Sequence, residues 1–353
     1  MVSGANAATI VVMLLVGYSD RIQPAGHPLL ANLGLTFPIF LALNAAFLVF
    51  WLMVKPVRAA IPVLGFLVAY QPVHTYFPIN LPSTPPEGTL KVLSYNVYTY
   101  STWKDAADPC PIADYIVAQD ADIVCLQESG IWGTRKQKLD SIYAAHYQYR
   151  DTAQAASGGD ELCIMSRFPI VGKEKIRYAS ATNNSAAFRL DIGGDTTIVI
   201  VNHLQSTGLS PEDKTQFRTM MKGQMRGDTA RQESRRLLHK LGAAAALRAP
   251  QADAVARYVR QHSGERIILV GDFNDSPISY VRRTIAQHLT DCYTATATGP
   301  GISYHYNAFY VRIDNIMCSS HFKPYQCRVD RSIGASDHYP ILCLLKPQGK
   351  NPE

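Results

Sequence analysis

Charge is scarce at the start of this 353-residue chain: of 34 Lys and Arg only Arg21, Lys55 and Arg58 precede Leu90, and of 28 acids only Asp20 and Glu87 do. That scarcity excludes an ordinary solvated N-terminal domain. Leu33 to Val54 carries no formal charge over 22 residues, enough helix to cross a hydrocarbon core of about 30 Å. Ala5 to Gly17 is apolar for only 13 residues, short of the ~20 a span requires. It reads as a short span or the tail of one that begins upstream, and the basic n-region of a signal peptide is missing. Val57 to Phe77 reads as a third span, with Pro62 and Pro72 tolerated in lipid, or else as an interfacial hairpin.

Thiolate chemistry is also missing. The seven cysteines include no CxxC pair and no Cys/His spacing of the kind that holds zinc, which argues against a structural zinc site. Cys125, Cys163, Cys318 and Cys343 sit in apolar strand-like runs, as small core residues do. Cys110, Cys292 and Cys327 have more polar neighbours and are the ones that pair if the domain is exported, although an odd total leaves a thiol over. Nor is there a Ser or Cys nucleophile elbow.

What is present begins with two charges. Lys55 and Arg58 hold two of the three basic residues of the apolar region, so the loop between the second and third segments is expected to face the cytoplasm. Everything after about Tyr76 then emerges on the other side, outside the inner membrane of a bacterium or in an equivalent lumen. Residues 1–80 are thus read as a membrane region, 81–89 (LPSTPPEG and Thr89) as a proline-rich spacer, and 90–348 as a soluble domain with a helical insertion at about 207–263. From Leu90 onward 31 Lys and Arg face 26 acids, a mild excess that suits a phosphate-bearing partner.

In the soluble part, apolar runs end repeatedly in polar residues. Leu90 to Val97 delivers Asn96, Ile123 to Gln127 delivers Glu128, Thr196 to His203 ends in Asn202 and His203, and Ile267 to Gly271 gives way to Asp272 and Asn274. Leu162 to Ser166 and Ala187 to Ile192 are further strands, with a turn at Pro169. Asp314 falls inside the strand pattern Tyr310 to Ser319, where a carboxylate needs a partner, and His338 in SDHYP is the candidate. Helices are expected over Pro111 to Gln119, from a capping box at Ser210 and Asp213, over Met225 to Leu247 and over Ala252 to His262. Arg231, Arg235, Arg236 and Lys240 crowd one helix side, read as a solvated basic face or a surface for phosphates and anionic lipid. Tyr304, His305, Tyr306, Phe309 and Tyr310 rim a pocket or form an aromatic cluster.

Hard oxygens, amides and imidazoles at converging strand ends suit Mg²⁺ or Mn²⁺ and predict metal-assisted hydrolysis of a phosphate ester. The chain from about Leu90 to Leu345 resembles the endonuclease/exonuclease/phosphatase superfamily, through LSYNV, LQES, SRFPI, VNHLQS, GDFND, RIDNI and SDHYP in that order. The resemblance implies an α/β fold, a four-layer α/β/β/α sandwich of two mostly antiparallel sheets. It also implies roles: Glu128 as principal metal ligand with Asn96 and Asp337 beside it, and Asp272 orienting and deprotonating water. Asn274 holds water or phosphoryl oxygens, His338 (oriented by Asp314) bonds the phosphate, and His203 contacts it or protonates the leaving group. Tyr306 is a further substrate-contact candidate. The substrate is expected to be nucleic acid or a related phosphodiester, alternatively a phospholipid head group such as sphingomyelin or a phosphoinositide. A non-catalytic membrane-anchored binding module is the reading from another class, and no obligate protein partner is implied.

Overall fold

Those apolar runs form the centres of two six-stranded sheets in the computed structural model, which describes residues 1–156, 158–224 and 227–349. The strands are β1 (Leu90–Asn96), β2 (Ile123–Gln127), β3 (Tyr149–Gln154), β4 (Glu161–Ser166), β5 (Ile170–Lys175), β6 (Asn184–Ile192), β7 (Asp195–His203), β8 (Arg266–Asp272), β9 (Thr290–Asp291), β10 (Asp314–Cys318), β11 (Phe322–Val329) and β12 (Ile341–Pro347). One sheet runs β11-β12-β1-β2-β4-β3, the other β5-β6-β7-β8-β10-β9. Only β1 with β2 and β7 with β8 pair in parallel; the other pairs are antiparallel.

The inner faces meet in a core that includes Val92, Phe188, Val201, Ile268, Ile316 and Ile341. Outside the first sheet lie α5 (Pro111–Gln119) and α6 (Gly133–Ala144), over Leu93, Val124 and Met165. Outside the second lie α8 (Gly227–Gln261) and α9 (Tyr280–Ile285), over Ile198, Ile200 and Leu269. The result is the four-layer α/β sandwich. Each sheet is apolar on both faces because each has a partner layer on both sides, which is why its central strands read as continuous apolar runs.

Three local expectations need correction. The strand expected over 310–319 starts only at Asp314, because the residues before it are drawn away: Arg312 donates to the carbonyls of Pro300 and Thr75, and the Ile313 and Asp314 amides bond Ser303 Oγ. The two helices expected after 225 are one, α8, with Pro250 inside it; Met225 itself lies outside the described residues. An interior proline costs about 3 kcal/mol, which burial of Ala252, Val255 and Val259 against the second sheet offsets. Finally, Cys110, Cys292 and Cys327 are buried like Cys125, Cys318 and Cys343, while Cys163 is half-buried; Cys292 Sγ lies 3.7 Å from Cys318 Sγ, and all seven are free.

The apolar N-terminus forms α1 (Val2–Gly17), α2 (Phe37–Val54), α3 (Ala60–Val68) and α4 (Tyr70–Tyr76). Two stretches, Val2–Arg21 and Leu30–Val54, are long and apolar enough to cross a membrane; α3 and α4 are bent by 75° at their junction. Asn6 donates to Asn44 (3.2 Å) and accepts from Trp51 Nε1 (3.1 Å), a buried polar link between α1 and α2 of the kind that holds helices together in lipid. The Lys55–Arg58 loop sits at the end where Arg58 meets Ser3. At the other end Gly17 packs against Phe37 and Pro72, and the 3₁₀ segment Leu30–Thr36 meets the sandwich: a Cβ on Gly34 would stand 1.9 Å from the Ile278 carbonyl oxygen. The helices therefore dock directly on the sandwich.

Candidate active site

The strand ends converge because of the sheet arithmetic. In a parallel pair both C-termini reach the same edge, so Asn96 and Gln127 are partners on β1 and β2, as His203 and Asp272 are on β7 and β8. An antiparallel neighbour begins at that edge, so β10 starts with Asp314 opposite Asp272, and His338 lies just ahead of β12 (Ile341–Pro347), beside β1. With Glu128 next after Gln127, six of the candidates (Asn96, Glu128, His203, Asp272, Asp314 and His338) thus arrive at one place by topology alone.

Their contacts are specific. Asn96 Nδ2 lies 3.0 Å from Glu128 Oε1 and 3.2 Å from Asp272 Oδ2, while its Oδ1 accepts the Tyr98 amide at 3.1 Å. Glu128 has a left-handed backbone, φ 52°, which turns its carboxylate off the strand end and into the site. Asn274, also left-handed at φ 52°, donates its amide N–H to Asp272 Oδ1 (2.7 Å) and its side chain to the Leu204 carbonyl (3.0 Å) and Asp272 Oδ2 (3.3 Å). Asp272 is 1% exposed and so held by three groups at once.

Two imidazoles flank it, each fixed from behind by an acid. His338 Nδ1 is 2.8 Å from Asp314 Oδ2, and its Nε2 faces Asp272 at 3.7 Å. His203 Nδ1 is 3.0 Å from Asp160 Oδ2, with Nε2 3.7 Å from Glu128 and 3.8 Å from Asp272. Burial alone would push both rings down; the Asp314 and Asp272 carboxylates raise His338, and Asp160 with Glu128 and Asp272 raises His203, each to about 10. Asp272 is pushed up to about 6 by burial, opposed by the His338 ring.

Glu128, Asp272, Asn274, Asp337 and His338 line a cavity of about 240 Å³, together with Tyr98, Lys214 and Tyr304. Lys214 Nζ bonds Tyr304 Oη at 2.7 Å. Tyr306 is 45% exposed and lies outside that lining, its ring 5.2 Å from Lys214 Nζ; Tyr304 is the tyrosine in the wall. Asn96, His203 and Asp314 stand behind the cavity, buried.

Sequence reasoning missed three contributors. Asp160 holds His203 and also accepts the Glu128 amide at 3.1 Å, so one carboxylate sets two candidates. Arg248, 1% exposed, donates to Asp275 (3.3 Å) and the Gln205 carbonyl (3.0 Å), joining the GDFND loop to the loop after His203. The third is the wall made by Asn32 and Leu35 from the 3₁₀ segment. GGDEL in front of an apolar strand was a readable signal for Asp160; the other two are tertiary contacts with no local signature.

The donor set fits a hard divalent cation. Asp272, Asp314 and His338 hold ligand atoms within 4.8 Å of one another. Their 2.8 Å Asp314–His338 bond, however, already commits Nδ1 and one Asp314 oxygen. The oxygens left facing the cavity are those of Glu128, Asp272 and Asp337. Around the site, among the described residues, Glu128, Asp160, Asp272, Asp314 and Asp337 face His203, His338 and Lys214, since Asp275 is matched by Arg248; even with both rings protonated, two negative charges remain. Oxygen ligands with that surplus suit Mg²⁺ or Mn²⁺.

A two-sheet sandwich with carboxylates, amides and acid-held imidazoles at one edge is a phosphoesterase or nuclease type of fold. The chain belongs to the Endonuclease/Exonuclease/phosphatase family, whose model matches residues 93–338. Residues 1–76 match a second model, described only as a domain of unknown function. No curated protein matches. Among solved structures the chain is similar to the human Nocturnin catalytic domain with bound sulfate anion (18% identity, TM-score 0.51, covering 76% of this chain and 96% of that one). It is also similar to an endonuclease/exonuclease/phosphatase from Beutenbergia cavernae (19%, TM-score 0.50, 74% and 72%). At that identity the likeness concerns the fold.

Proposed function

We propose that this chain is a divalent-metal-dependent hydrolase of phosphodiesters. The observation that carries the reading is the position of Asp272: buried, held by Asn96 and Asn274, and faced by two imidazoles that are each fixed by a second acid. Glu128 and Asp337 would hold Mg²⁺ or Mn²⁺, with Asn96 expected as a ligand but placed here behind Glu128, to whose Oε1 its Nδ2 donates; the ion when bound neutralises phosphate charge and favours departure of the leaving oxygen.

The chain's own residues do the rest. Asp272 orients water and takes its proton, its raised affinity for protons suiting it to a base near neutral pH. Asn274 keeps that carboxylate in one rotamer through its backbone and side-chain N–H groups, which leaves its Oδ1 to accept from the incoming water. His338 donates Nε2–H to a phosphoryl oxygen because Asp314 is hydrogen-bonded to Nδ1, and His203, ion-paired through Nδ1 with Asp160 at 3.0 Å, supplies the proton for the leaving oxygen. Nuclease and lipid-phosphodiesterase readings share this bond chemistry; the completeness of the set argues against a binding module.

The test is release of 4-nitrophenol from bis(4-nitrophenyl) phosphate by the full chain with and without Mg²⁺ or Mn²⁺. Absence of metal-dependent turnover on this diester, and on oligonucleotides and phospholipids, overturns the proposal. We also propose that Lys55 and Arg58 face the cytoplasm and the sandwich the opposite side, as the basic loop lies at the bundle end away from it. A reporter fused after Ser83 that works only in the cytoplasm contradicts that orientation.

A further inference from the structure

The catalytic cavity is not built by the sandwich alone. Asn32 and Leu35 of the 3₁₀ segment form part of its wall, and that segment is the first part of the apolar stretch Leu30–Val54. The cavity continues: Leu209, Leu241 and Phe309 line both it and a second, apolar hollow of about 220 Å³ between α7 (Pro211–Met221) and α8. Phe217, Met220 and Leu237 line the deeper part, Phe217 stacked on Phe309 at 4.2 Å. Asp213, fully buried, fixes α7 to α8 by accepting from both Arg236 and Lys240, so the two helices hold the hollow open as a unit.

Beside it the exposed Leu29 (50%) meets Leu238 (50%), Arg231 and Arg235. Apolar and basic residues thus lie together where the apolar helices enter the sandwich. Basic residues at a bilayer surface are attracted to anionic lipid. By contrast, a nucleic-acid channel needs a row of cations along the backbone. Among the described residues lining the cavity the cations are Lys214, bonded to Tyr304, Arg248, spent on Asp275, and the His338 ring.

Resting on the phosphodiesterase reading above, we propose that the substrate is a membrane phospholipid, its phosphodiester at Asp272 and one acyl chain in the hollow between α7 and α8. Water adds at phosphorus, one P–O ester bond breaks, and the departing oxygen takes a proton, giving a phosphomonoester and an alcohol. The 3₁₀ segment keeps the cavity at the level of the head groups, so the lipid enters without leaving its leaflet.

The test compares kcat/KM of the full chain, in mixed micelles with Mg²⁺, on dihexanoyl and dioleoyl phosphatidylglycerol, a 20-nucleotide single-stranded DNA, and bis(4-nitrophenyl) phosphate. The expected result is at least a 10-fold preference for the long-chain over the short-chain lipid. Phe217→Glu brings that ratio close to one and Phe217→Leu retains it; as a ratio within one sample it is insensitive to the fraction folded. A wild-type ratio near one, a ratio unmoved by Phe217→Glu, or higher kcat/KM on the DNA overturns the inference. Turnover of the nitrophenyl diester without lipid turnover overturns it while leaving the phosphodiesterase reading intact. Turnover of none of the four overturns both.

Discussion

Asp272 and Asp314 face each other directly across the β8–β10 pair, each 1% exposed, and the His338 ring lies between them at 3.7 and 2.8 Å. Two buried carboxylates in register repel, and burial disfavours each of their charges. One bridging imidazole does not remove that cost. Asp272→Asn therefore raises the thermal midpoint of the metal-free protein at pH 8 by a few degrees while lowering turnover at least 10³-fold, ~4 kcal/mol of barrier. Scanning calorimetry and diester turnover on the same sample check both signs; a stabilised variant that keeps its rate removes Asp272 from the chemistry.

Asp314→Asn tests positioning rather than contact. The amide keeps the shape and relieves the repulsion, but it no longer selects the His338 tautomer that presents Nε2–H. The expectation is a kcat lowered about 100-fold, ~2.7 kcal/mol, with KM for a small diester changed less than threefold and no loss of thermal stability. A fall in the thermal midpoint as large as that for a buried cavity would assign Asp314 a structural role instead.

Asp160 couples two candidates, because it holds His203 and accepts the Glu128 amide. Asp160→Ala is expected to lower turnover and to raise the Mg²⁺ concentration giving half-maximal rate, the latter by about 10-fold, the scale typical of residues that support metal ligands. Glu128→Gln raises that concentration further. Metal titrations of the two variants check the order; an unchanged midpoint in Glu128→Gln contradicts its assignment as a ligand.

Central strands and the site were readable in sequence for one physical reason. β1, β2, β7 and β8 are covered on both faces, so they are continuous apolar runs, and the polar residue at each end marks the sheet edge. Strands β3, β5 and β11 gave no such signal, since all three are sheet edges with half-exposed, charged patterns such as YRDTAQ and IVGKEK. Edge strands carry charge to discourage pairing with other chains, and that erases the apolar run. Arg248 was hidden for another reason. An arginine in an alanine-rich helix reads as solvent-facing, and only the fold places it under the GDFND loop.

Arg282 and Asp291 supply a measurable acid-sensitive element remote from that site. Burial would raise the Asp291 carboxyl, but the Arg282 guanidinium, bonded through Nε (3.0 Å) and Nη2 (2.6 Å), and the Thr294 amide hold it down at about 2. A carboxyl lower in the folded than in the unfolded chain, where it is 3.8, contributes stability above pH 4 that is lost as pH falls through 2. The expected difference in unfolding free energy between wild type and Asp291→Asn is therefore about 2 kcal/mol larger at pH 5 than at pH 2. Denaturant titrations at the two pH values check it, and a difference independent of pH contradicts the ion-pair account.

Gly34 ties the apolar helices to the cavity wall. A Cβ there would stand 1.9 Å from the Ile278 carbonyl oxygen, backbone that cannot swing aside, so the 3₁₀ segment must lift and carry Asn32 and Leu35 with it. Overpacking of this kind costs about 1–3 kcal/mol. Gly34→Ala is expected to lower the thermal midpoint and to reduce the long-chain to short-chain lipid ratio at least threefold. Gly26→Ala, in the same connecting region with nothing within 4 Å of its Cβ, changes neither. If the two variants behave alike, the contact at Gly34 does not shape the cavity, and the apolar helices do not contribute to it.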